Sequence, residues 1–111
     1  MSEAFSALMN RRLTELPAEQ LRPYLTFLRT WLRAPQLEYI RQAHADHGAD
    51  WPFKDRYHVT QGRGVREALR EAGYPDAELP TGSWDDYYIQ LVEIVAGLRP
   101  DPTAPAAGAH P

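Results

Sequence analysis

The run Leu21-Arg22-Pro23-Tyr24-Leu25-Thr26-Phe27-Leu28-Arg29-Thr30-Trp31-Leu32 decides the fold class. Leu21, Leu25, Leu28 and Leu32 recur at intervals of three and four, the spacing that brings side chains onto one face of an α-helix. Tyr24, Phe27 and Trp31 lie beside that stripe. On a helical wheel the apolar residues fill an arc of roughly 160°, and Arg22, Thr26, Arg29, Thr30 and Arg33 take the remainder. So wide an arc needs two neighbouring helices, or one neighbour and a partner protein. Pro23 belongs to the first turn or kinks the helix, and Pro35 ends it.

Working outward, Phe5, Leu8, Met9, Leu13 and Leu16 carry the same periodicity over residues 3–15, with Ser2 as N-cap, Glu3 near the positive end of the dipole and Pro17 as the stop. A third helix runs from about Gln36 to His47, with Leu37, Ile40 and Ala43 inward and Gly48 as its cap. The connection from Ala49 to Gln61 is long but holds Trp51, Pro52, Phe53, Tyr57, His58 and Val59. It is therefore expected to be ordered against the helices. A fourth helix, about Arg63 to Ala72, is closed by Gly73. The last begins at Thr81 or Ser83, places Asp85 and Asp86 in its first turn, and carries Trp84, Tyr87, Tyr88, Ile89, Leu91, Val92, Ile94, Val95 and Leu98. Apolar almost all round, it is either the central helix or part of a contact with another subunit. No alternating run is long enough for a strand. The expected architecture is all-α: one compact bundle of about five short helices over residues 1–99, with one long ordered loop and a disordered Pro/Ala-rich tail over 100–111.

Composition narrows the function classes. The 111 residues contain no cysteine, which excludes disulfides and thiolate metal sites. No signal peptide and no membrane-length apolar run is visible, and the expected location is the cytoplasm. Eleven arginines against one lysine, with abundant alanine and proline, fit a GC-rich bacterial genome. Residues 1–70 carry a net +3 and residues 71–111 a net −6, a split best read as two halves that pack together and neutralise each other. There is no Gly-x-Ser-x-Gly turn, no phosphate-binding loop and no dinucleotide fingerprint, and the paired carboxylates Asp85 and Asp86 diverge on a helix. No catalytic residue, cofactor or metal is expected.

Four constellations remain. His58-Val59-Thr60-Gln61-Gly62-Arg63-Gly64-Val65-Arg66, with Asp85 and Asp86 downstream, leads a histidine and two glycines into an arginine-bearing helix start. His58, Gly62, Arg63, Arg66, Asp85 and Asp86 form a candidate anion or small-ligand site. Weighed against it is an ion pair between one of these arginines and one of these aspartates. His44 and His47, with Asp46 and Asp50 nearby, share a helix face, but two histidines do not close a metal site and suit the negative end of the dipole. Arg63, Arg66 and Arg70, with Lys54 and Arg56, form a basic stripe. Glu67 and Glu71 interrupt it, and the chain is acidic overall, so nucleic acid is not the expected partner. Trp51, Phe53, Tyr57, Tyr74, Tyr87 and Tyr88 supply a candidate interaction surface for another protein or a second copy in a homodimer, since such residue types are enriched at hot spots.

The spacing His58-x3-Gly62-x2-Val65-Arg66 with a downstream Asp-Asp pair resembles a family of small bacterial domains of unknown function. In that family the arginine is usually followed by asparagine, where this chain has Glu67. The family's tryptophan- and leucine-rich continuation is replaced by Ala68-Leu69-Arg70-Glu71. The resemblance covers about thirty residues and implies a shared local architecture around His58, Arg66 and Asp85-Asp86, with no activity attached. The chain thus reads as an interaction or accessory module without catalytic activity. The alternative is an anion or small-ligand domain, with or without catalysis, built on the His58–Arg66 segment.

Overall fold

Three glycines mark where the helices stop: Gly48 at φ +74°, Gly73 at +99° and Gly97 at +82°. Between such stops the computed structural model, which describes residues 2–104, holds only helices and turns. The helices are α1 (Ser2–Thr14), α2 (Ala18–Trp31), α3 (Ala34–His47), the single turn α4 (Trp51–Lys54), α5 (Gln61–Glu71) and α6 (Tyr88–Val95). Among the described residues five of these have eight residues or more and no strand is present, so the chain is an all-α bundle. No helix among them is long and apolar enough to cross a membrane. The side chains of Ser2, Glu3 and Phe5, expected to open α1, lie outside the described residues.

Helix α2 buries Leu21, Tyr24, Leu25 and Leu28, and Leu32 follows just beyond its end. Pro23 sits in its second turn, so Glu19 lacks the usual donor from that position. Pro35 does not stop α2. That helix already ends at Trp31, and Pro35 opens α3, where its fixed φ suits the first turn. The long connection is ordered, as its apolar content predicts. It comprises a 3₁₀ turn (Gly48–Asp50), α4 and a second 3₁₀ turn (Tyr57–Val59).

The last helix starts later than expected. Ser83 does act as a cap, accepting from the Asp85 N–H at 3.1 Å, but it caps a separate 3₁₀ turn, Trp84–Asp86. At Tyr87 the backbone leaves helical geometry (φ −126°), and α6 begins at Tyr88. Asp85 and Asp86 are therefore not in the first turn of α6. Asp76 anchors the start of that turn: its carboxylate accepts from the Trp84 N–H at 2.9 Å while gripping Arg70 with both oxygens, at 2.6 and 3.0 Å. The indole of Trp84 donates to the Tyr74 carbonyl at 2.9 Å.

Helix α6 is the centre of the molecule, in contact with α1, α2, α3 and α5, and every residue from Tyr88 to Ile94 is buried. That settles one of the two readings of its all-round apolarity: it is enclosed by its own subunit. Its buried carboxylate, Glu93, accepts from the Trp51 indole at 2.8 Å and pairs with Arg99 at 3.0 Å. Arg41 of α3 donates to the Ala96 carbonyl at 2.7 Å, placing a cation at the negative end of α6. The structured chain continues past the boundary expected at residue 99, because Asp101 pairs with Arg29 of α2 at 2.8 Å and accepts from Thr103. The rest of the expected tail, 105–111, lies outside the described residues.

Removing one partner of a buried, hydrogen-bonded ion pair strands the other. Glu93→Ala should therefore lower the unfolding free energy by about 3 kcal/mol or more. Glu93→Gln, which keeps an acceptor for Trp51, should cost less. Urea unfolding followed by tryptophan fluorescence checks the order of the two.

Candidate functional site

Arg56 adopts the left-handed conformation at φ +67°, which turns the chain so that Tyr57–Val59 lies against the start of α5. There His58, Gly62 and Arg66 meet Tyr88 of α6 and Asp85. The His58 Nδ1 lies 2.7 Å from the Tyr88 hydroxyl and 3.2 Å from Arg66 Nη1. A guanidinium only donates, so Nδ1 must accept, and His58 is neutral with its proton on Nε2. Burial, and then the Arg66 charge, hold the His58 pKa below its ordinary value, with Asp85 opposing. Arg66 pairs with Asp85 at 2.9 Å, and its guanidinium carbon stands 4.8 Å over the Tyr88 ring. Burial raises the Tyr88 hydroxyl well above the usual phenol range. Gly62 is demanded by this packing, since a Cβ there would lie 2.6 Å from the Tyr88 hydroxyl and 2.9 Å from the Tyr57 carbonyl.

The six-residue anion site expected from the sequence is thus only partly assembled. His58, Gly62, Arg66 and Asp85 converge. Arg63 points to solvent and pairs with Glu67 at 3.4 Å, and Asp86 accepts from the Thr81 hydroxyl at 2.6 Å. Arg63 and Arg66 are only about 60° apart on the helix, and what separates them is their partners: Arg63 is taken by Glu67 one turn on, Arg66 by Asp85, and Asp86 by Thr81. What converges closes on itself, with the Arg66 charge met by Asp85 and the imidazole acceptor already filled. The cluster ties α5 and α6 to the 54–60 segment. The basic stripe is neutralised in the same way, since Arg70 is held by Asp76. Among the described residues no three His, Asp or Glu side chains gather as a metal set.

The aromatic interaction surface needs correction. Trp51, Tyr57, Tyr87 and Tyr88 are all buried, because they fill the space between short helices and the 51–59 segment. Trp51 packs on Tyr57 at 4.7 Å between centroids, and the Tyr87 hydroxyl donates to Glu15 at 2.7 Å. Only Phe53 is exposed, at 50%, and Tyr74 is half-buried. Phe53 leans on the His58 ring at 5.3 Å, and exposed Tyr39 stacks on Tyr57 and donates to Asp55. These two rings have neighbours within the subunit.

A concave surface lies elsewhere, on the outward side of α2. Hollows of about 540, 700 and 340 Å³ follow one another along that helix. Pro23 and Tyr74 line the first two, and Phe27 and Thr30 line the second and third. Phe27 and Trp31 are the members of the wide apolar arc that the subunit leaves half-buried. Tyr74 sits edge-on to Phe27 at 6.3 Å and to buried Tyr24 at 5.1 Å, so the groove is anchored in the core. Phe27 and Trp31 were legible in the sequence as part of too broad an arc, but not as the half left uncovered. No family model, no curated protein and no solved structure matches this chain.

Two outcomes follow from the His58 cluster. Gly62→Ala must push Tyr88 from α6, and should cost about 1–3 kcal/mol in chemical denaturation. Because the His58 pKa is lowered on folding, the unfolded chain binds the proton more readily. The stabilisation is complete above the ordinary value of 6.5 and declines as pH falls below it. Asp76, held down to about 2 by Arg70, loses its contribution only at much lower pH. The urea midpoint should fall between pH 7.5 and 5.5 in the wild type. The fall should shrink in His58→Asn, whose side-chain oxygen replaces the Nδ1 acceptor and does not titrate.

Proposed function

We propose that this domain is a protein-interaction module without catalytic activity, and that its contact surface is the groove along the outer face of α2. The observation that carries the reading is the continuity of the three hollows on one helix, lined by the half-buried rings of Phe27, Trp31 and Tyr74. Isolated exposed apolar side chains are normal on any surface, whereas a contiguous apolar groove rimmed by polar residues is a feature of binding sites. The rim carries both signs of charge, Glu19 and Glu78 against Arg22 and Arg33. A protein segment with apolar side chains and mixed charge suits it better than a polyanion. The self-contained bonding of the His58 cluster also favours binding over chemistry, since a general base needs a free acceptor and His58 Nδ1 has none.

A photo-crosslinking amino acid at Thr30, in the groove, is compared in the native host with one at Ala45 on the exposed side of α3. The expected result is a discrete adduct from Thr30 alone, lost when Thr26→Arg places a charge in the groove. The same adducts from both positions, or none from Thr30, would overturn the reading.

A further inference from the structure

We propose that the partner on this groove is a second copy of the same chain, lying antiparallel along α2 about a two-fold axis beside Thr26. This rests on the reading of the α2 groove as a docking surface and adds the identity of the occupant. The row of α2 that faces away from the core is Glu19, Pro23, Thr26 and Thr30, spaced at intervals of four, three and four. Its centre is small, so a second helix can approach to the ordinary interaxial distance of about 8–10 Å. Two-fold symmetry makes such a contact self-complementary, each position meeting the one equally far from the axis on the other side.

The charges on this face meet that requirement. Glu19 borders the groove near the start of α2 and Arg33, two residues past the end of that helix, borders it at the other end, so a two-fold axis between them turns Glu19 of each copy toward Arg33 of the other, twice over. Neither Glu19 nor Arg33 has an ion pair with another described residue. Arg22 comes to lie opposite Thr30 and next to Arg29 of the other copy. That encounter would be repulsive if Arg29 were free, but Asp101 holds it at 2.8 Å within its own subunit. Asp101 therefore prepares the face for a second copy as well as fastening the end of the described chain. Thr26 meets its own counterpart on the axis. The hollow of about 700 Å³ between α2 and Tyr74 leaves room for side chains of the opposing helix.

Size sets the strength. Fourteen residues of α-helix span about 21 Å, and a strip one helix wide buries roughly half of the ~800 Å² per partner of a standard interface. The dimer is accordingly weak and reversible, with dissociation in the range of tens of micromolar or above.

Sedimentation equilibrium on the full chain, from about 10 μM to 1 mM at low salt, reads it directly. The expected result is a reversible monomer–dimer equilibrium. Glu19→Arg and Arg33→Glu should each weaken it about five- to tenfold, because each acts twice per dimer. The two together should restore it. Thr26→Arg, which sets two guanidinium groups against each other on the axis, should abolish it while the circular dichroism of the monomer is unchanged. A monomer at all concentrations overturns the proposal, as does a dimer indifferent to these exchanges. A monomer whose Thr30 crosslinks to a different protein overturns the second copy and leaves the docking groove standing. Absence of both dimer and crosslink removes both.

Discussion

A helix with no face toward water imposes conditions on everything around it. Helix α6 is eight residues long, about 12 Å, and is buried from Tyr88 through Ile94. Gln90 and Glu93 carry polar side chains into this enclosure and must be met there. Glu93 is met from two directions, by the indole of Trp51 and the guanidinium of Arg99, so one carboxylate draws the long connection and the C-terminal turn onto the core. Gln90 is met less fully. Its amide nitrogen reaches the Asp86 carbonyl at 3.0 Å, while its oxygen and the Arg12 Nε are the two buried side-chain atoms without a partner among the described residues. Among the described residues the polar link from Gln90 to α1 is a long one, 3.5 Å from its amide nitrogen to the Met9 carbonyl.

The parts of this fold that were legible in the sequence are those governed by local rules. The leucine stripe of α2, the glycines that end α3 and α5, and the apolar crowding that orders residues 49–61 all act within a few residues of themselves. The start of α6 was not legible, because the residues before it form a separate turn whose first N–H, that of Trp84, is bound by Asp76, a carboxylate eight residues upstream. The exposure of aromatic residues was not legible either. Trp51, Tyr57, Tyr87 and Tyr88 have the composition of a binding surface, and short helices use the same composition to fill the gaps between them. Only the packing decides between the two uses, and here it decides for the interior.

The segment from His58 to Arg66 shows the same limit in its chemistry. Histidine, glycine and arginine at a helix start are the residue types that hold anions, and the geometry does bring His58, Gly62, Arg66 and Asp85 together. Asp85 meets the charge of Arg66 and the imidazole Nδ1 accepts from the Tyr88 hydroxyl and from Arg66, so these residues also join two helices to a turn. The requirement for Gly62 comes from the same joint, as clearance for a phenol ring.

That α6 is enclosed by its own subunit changes where an external contact belongs. Two helices carry wide apolar arcs, and a chain of this length buries a smaller share of its surface than a larger domain does. Hiding α6 completely requires neighbours on every side of it, and α2 is one of them, with Leu21, Tyr24, Leu25 and Leu28 turned inward. A helix used as a wall has an outside. On α2 the arc is wider than the wall requires, so Phe27 and Trp31 are carried round to the outer edge, where Tyr74 continues the same surface. The groove is what remains when the most apolar helix takes the centre. Enclosing α6 and leaving an apolar margin on α2 are one packing solution, and the proposed contact surface is that margin.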